Sequence, residues 1–191
     1  MAKAPDVVFH DPAFIANLFG NPRWSWVWVI ARIYVGWKWL TSGWGKATNP
    51  AWVETGDALR GFWERAVALP DPPARPAITY DWYRDFLQAL LDGGLYAWFA
   101  KLIAYGEIAV GIALVLGAFV GIAAFFGAFL NWNFMMAGTA STNPVLFTLG
   151  ILLLLAWKTA GWYGLDRWIL PLLGTPWQPG KLFGKEPPTG A

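Results

Sequence analysis

Two side chains lie where their chemistry is out of place. Glu107 sits near the middle of the apolar run LYAWFAKLIAYGEIAVGIALVLG (95–117), and Arg32 lies inside WSWVWVIARIYVGWKWLTSGWG (24–45). A charge within hydrocarbon is costly, so each must face protein, pair, or change its protonation state. A guanidinium offers a fixed cation and a fork of donors suited to an anion or a carbonyl oxygen. A carboxylate beside a reducible ring can accept or release protons. Asn131, in a third apolar run, adds an amide that both donates and accepts. Arg32 and Glu107 are therefore the candidate catalytic pair. Arg32, Glu107 and Asn131 together are the candidate binding set for a small anion or a quinone carbonyl. The same two charges read equally well as an internal ion pair that fixes helix register.

The elements that must carry these residues are long apolar helices. About 20 apolar residues cross a bilayer at 1.5 Å rise each, and four runs qualify: 24–45, 95–117, 118–138 and 144–163. In the first, Arg32, Gly36, Trp39, Gly43 and Lys46 share one face at 100° per residue. Its small residues invite a close neighbour. In the third, Asn131 falls on the face of Ala124, Gly127 and Ala128, whereas Asn133 points about 200° away. Measured from the inner ends, Arg32 lies roughly 12 Å up its helix and Glu107 roughly 15 Å up its own, so a salt bridge between them is expected. Asn131 lies roughly 20 Å up. Lys38 and Lys101 are expected to snorkel to the outer headgroups. Trp39 and Trp132 are expected to pack or to anchor the chain at the interface rather than stack on a cofactor.

Composition agrees. Of 191 residues 57% are apolar and 14% charged, far below the quarter usual in soluble domains. Fifteen tryptophans suit interfacial belts. A net charge of +2 suggests no nucleic-acid partner. With no cysteine and one histidine, His10, near the N-terminus, neither thiol redox chemistry nor a built-in haem, metal or flavin is indicated. No removable signal peptide is apparent before Arg23.

Residues 1–23 read as a polar tail with a short interfacial helix at Ala13–Phe19, ended by Asn21-Pro22. The long connection 46–94 holds seven of the twelve acids. Two amphipathic pieces, around Trp52–Val67 and Trp82–Leu91, read as surface helices over one mouth of the bundle, with prolines between them. Gly117 and Gly121 are expected to make the tight reversal between spans two and three. Pro144 opens the fourth span, and 173–191 reads as an extended tail. The fold expected is all-α, an integral membrane four-helix bundle with amphipathic surface helices between spans one and two. Lysine and arginine flank the terminal side slightly more densely, which favours a multi-pass cell-membrane protein with cytoplasmic termini and an external long loop.

The order of motifs resembles the DoxX/DoxD membrane proteins. Arg32-x3-Gly36 leads to Gly43-x-Gly45-Lys46. Gly106-Glu107-x3-Gly111-x2-Leu114-x2-Gly117 follows, then Ser-Thr-Asn-Pro at 141–144 and Gly-Trp-Tyr-Gly-Leu-Asp at 161–166. The likeness covers roughly residues 24–172, and Arg32 and Glu107 match the family's polar positions. It implies a four-helix membrane protein. It also implies a subunit that oxidises thiosulfate or a similar small anion, passing electrons to membrane quinone with a membrane or extracellular redox partner. The alternative is a non-catalytic scaffold or assembly subunit of a larger membrane complex. Anion transport has less support, since no inverted repeat or broken helix is visible.

Overall fold

The computed structural model describes residues 11–174. The expectations for His10 and for the extended C-terminal end lie outside that range. Among the described residues every regular element is helical. The elements are α1 (Ala13–Gly20), α2 (Ser25–Ala47), α3 (Pro50–Val53), α4 (Asp57–Val67), α5 (Asp81–Asp92), α6 (Tyr96–Leu116), α7 (Val120–Met136), α8 (Asn143–Leu155), α9 (Trp157–Ala160) and α10 (Asp166–Leu173), with a 3-10 turn at Pro22–Trp24.

One described helix, α6, is long and apolar enough to cross a membrane, with a mean hydropathy of 1.9. The 23-residue α2 carries Arg32, Lys38 and Lys46. The apolar α7 and α8 are shorter, at 17 and 13 residues. The expected fourth span is not one helix. It stops at Leu155, turns at Ala156 and resumes as α9, where the Thr159 hydroxyl donates to the Phe19 carbonyl (3.0 Å) and to the Ala156 carbonyl (3.2 Å).

Close backbone approach sets the register of α2 on α6. A Cβ on Gly111 would come within 2.6 Å of the Leu40 nitrogen, and one on Gly43 within 2.7 Å of the Ile108 nitrogen. Only glycine permits that approach, so the two helices meet where their glycines meet. Around this seam lies the main core, with Trp28, Val35, Trp39, Leu114, Val120 and Leu153 buried. The reversal into α7 uses left-handed conformations at Gly117 (φ 66) and Phe119 (φ 49). Gly121 is not part of it. That glycine sits inside α7, where a Cβ would press on Trp157.

The long connection folds into a second apolar cluster over the opposite end, built on Leu59, Trp63, Ile78, Tyr83 and Leu87 with Ala100 and Ala137. The first amphipathic piece is two helices rather than one, because Gly56 (φ 78) breaks it against Ala97. The Tyr83 hydroxyl donates to the carbonyl (3.0 Å) and side-chain oxygen (3.1 Å) of Asn133, tying α5 to α7. The helix expected near the N-terminus forms as α1. Its Leu18 and Phe19 pack on the main core, and the Leu18 carbonyl accepts from the Trp28 indole (2.8 Å).

Candidate functional site

Arg32 and Glu107 do not pair. The seam glycines place Gly43 beside Glu107, so Arg32 is carried to the far end of α6. There its Nη1 donates to the carbonyls of Leu114 (2.7 Å) and Val115 (2.6 Å), and Nη2 donates to that of Tyr163 (2.8 Å). The last carbonyls of a helix have no partner within it and carry its negative pole, so a buried guanidinium suits them. The loop before α10 closes the arrangement. The Leu165 and Asp166 amides donate to the carbonyls of Leu116 (3.2 Å) and Gly117 (2.8 Å). The Asp166 carboxylate accepts from the Phe119 amide (2.5 Å) and the Val120 amide (2.9 Å), at the start of α7. Burial pushes the Asp166 carboxyl above its ordinary range, against the pull of those two amides and of Arg32. Arg32 and Asp166 thus cap two consecutive helices, and the expected catalytic and binding roles of Arg32 find no support in where it sits.

Glu107 is fully buried and takes Lys46 instead, with Nζ 2.7 Å from Oε2. The same ammonium donates to the Ser42 hydroxyl (2.7 Å) and lies 5.2 Å from the Trp52 ring and 5.8 Å from the Phe134 ring. The expected face of α2 is real, since Arg32, Gly36, Trp39 and Gly43 are all buried along it. The partner for Glu107 lies on that face, one turn beyond Gly43. Reckoning depth from the nominal ends of the runs put the wrong cation level with the carboxylate. In fact α2 extends roughly 10 Å past the point where α6 stops.

Lys46 and Glu107 line a cleft of about 480 Å³ between α2, α6, α7 and the link into α8. Asn131, fully buried, lines it too, so Glu107 and Asn131 come together as expected. Lys38 stands on the lining with its Nζ 5.9 Å from the Tyr34 ring, and Lys101 is exposed. Glu107 Oε1 and both side-chain polar atoms of Asn131 have no hydrogen-bond partner among the described residues. The Trp39 indole N–H, close against Gly127, has none either. Most buried polar groups in folded proteins are satisfied, and leaving one unmade costs about 1–3 kcal/mol. Three such atoms on two buried residues that line one cleft leave donor and acceptor capacity unused at its wall. Two cations and one carboxylate give its walls a net positive charge.

Lys46 and Asp166 were missed as partners at sequence level. Lys46 had a signal, its place on the Arg32–Gly43 face. Asp166 had a weaker one, an acid closing the Gly-Trp-Tyr-Gly-Leu-Asp stretch. Among the described residues no group of three or more His, Cys, Asp or Glu side chains is placed to hold a metal ion. No family model matches the chain, and no curated protein or solved structure matches it either.

Proposed function

We propose that this chain is a multi-pass membrane protein of the DoxX/DoxD kind that serves as a quinone-linked oxidoreductase subunit, acting on thiosulfate or a similar small anion. Its four spans are α2, α6, α7, and α8 with α9, with cytoplasmic termini and the α3–α5 connection outside. The observation that carries the reading is the set of unpartnered buried atoms on Glu107 and Asn131 beside Lys46. The Asn131 amide nitrogen can donate to a quinone carbonyl, and Glu107 Oε1 can accept from a quinol hydroxyl. When bound, a quinone supplies an acceptor for two electrons and two protons. Lys46 holds the Glu107 carboxylate in place through Oε2, which leaves Oε1 to take up or release a proton at the cleft. Lys38 and Lys46 give an anion a favourable approach from the outer side. In the overall balance two thiosulfates each lose one electron and join through a new S–S bond, while the electrons and two protons reduce one quinone to quinol.

The test is thiosulfate-dependent quinone reduction by the purified protein in nanodiscs, alone and with co-purifying subunits. Glu107→Gln is expected to lower turnover by about 100-fold or more, and Arg32→Lys to act only through stability. Turnover unchanged in Glu107→Gln and Asn131→Leu would contradict the reading. If Glu107→Gln instead dissociates a co-purifying complex, the scaffold role is favoured.

A further inference from the structure

A second cavity, of about 420 Å³, lies back to back with the polar cleft. It sits between α6 and α7 beneath α4 and α5, and its walls include Trp63, Phe99, Val110 and Leu130. The polar residues on its lining, Tyr83 and Asn133, are hydrogen-bonded to each other. The chamber therefore offers an occupant hydrocarbon and aromatic surface. Its size falls within the ~300–1,000 Å³ typical of small-molecule sites. Leu102, Phe126 and Phe129, each about half exposed, place its opening on the side of the bundle.

Neighbouring residues divide between the two cavities. On α6, Gly106 lines the chamber and Glu107 the cleft; on α7, Leu130 lines the chamber and Asn131 the cleft. Phe134 lines both, and the Lys46 ammonium is 5.8 Å from its ring. We infer that cleft and chamber are two halves of one site for an isoprenoid quinone, its head beside Glu107 and Asn131 and its chain entering sideways past Phe126 and Phe129, with Phe134 as the partition. This rests on the quinone reading of the cleft. The Glu107 oxygen selects the occupant. A phospholipid phosphate would set a second anion against the carboxylate. A quinone head sets none, its carbonyl accepting from the Asn131 amide and, once reduced, its hydroxyl donating to Glu107 Oε1.

Gly106 provides the test, because a Cβ there meets nothing within 4 Å. Gly106→Leu fills the chamber while favouring the helix, and Ala109→Leu, on the same lining, guards against a local fold defect. Protein in nanodiscs is titrated with a head-only benzoquinone and with the same head bearing an isoprenoid chain, read by quenching of tryptophan fluorescence. The chain is expected to tighten binding at least about tenfold. Both filling variants are expected to erase that gain while the head-only compound keeps its affinity, and Asn131→Leu, which removes the amide donor, to weaken both compounds. A chain advantage that persists in both variants would overturn the inference. So would phospholipid that co-purifies with the wild type and is lost from Gly106→Leu without any change in the chain advantage. If the head-only quinone binds in an Asn131-dependent way but the chain adds nothing, the chamber assignment fails and the cleft reading stands. If neither quinone binds, both fail.

Discussion

The protein buries charge in two places, and it treats them in opposite ways. At one end, three carbonyls take the Arg32 guanidinium, whose Nε alone has no partner among the described residues, and two amides take the Asp166 carboxylate. At the other end Lys46 and Glu107 pair through one oxygen, while Glu107 Oε1 and the whole Asn131 amide are left over. The first region uses its charges to close helix ends and has little hydrogen-bonding capacity for anything else. The second keeps capacity in reserve at the wall of a cleft. Buried charge alone does not mark a functional site; unsatisfied buried charge does so far better.

If that contrast is right, the two regions should fail differently. The largest effect is expected from Arg32→Ala, which removes the donor from three carbonyls, that of Leu114 in a buried bond, and leaves Asp166 without its nearby cation. A loss on the order of 3–5 kcal/mol is expected in thermal unfolding in detergent. An Arg32→Ala protein as stable as Glu107→Gln would break the comparison. Next comes Lys46→Met, which leaves the buried Glu107 carboxylate without its cation. Because Lys46 is partly exposed, about 2 kcal/mol is expected. Adding Glu107→Gln should recover most of it, which a double-mutant cycle measures. Asp166→Ala removes the acceptor at the start of α7 and should cost about 1–2 kcal/mol. Asp166→Asn, which keeps one acceptor oxygen, should cost less.

The smallest effect lies outside both regions. Tyr83→Phe should cost about 1 kcal/mol by unlinking α5 from Asn133. Burial pushes the Tyr83 hydroxyl up to about 12, whereas an unfolded tyrosine titrates near ~10. Over that interval the unfolded chain has lost the proton and the folded chain still holds it, so stability falls as pH rises. Unfolding followed across this range should show the decline in the wild type, and Tyr83→Phe should shrink it.

Much of this arrangement is written locally and the rest is not. The apolar run at 95–117 has one outcome, α6, and the 100° periodicity of 32–46 correctly places Arg32, Gly36, Trp39 and Gly43 on a buried face. Asn131 was likewise legible from its small neighbours Gly127 and Ala128. Pairing was not legible, because it depends on register, and register depends on which glycines meet across the seam. Sliding α2 by about four turns exchanges Arg32 for Lys46 without changing either helix's pattern. The break at Ala156 was hidden for a related reason. Thr159 bonds to Phe19, a contact between residues 140 apart in sequence that no local pattern announces. The apolar chamber needed tertiary structure as well, since its walls come from four helices.

Asn131→Leu bears most directly on the idea that the cleft holds its polar atoms for a ligand. Thermal unfolding in nanodiscs, without and with a quinone, is the measurement. Replacing an unsatisfied buried amide by a hydrocarbon of similar size should raise the stability of the empty protein by about 1 kcal/mol or more and abolish the quinone-induced shift. A variant that is less stable than the wild type and still gains stability from quinone would contradict the account.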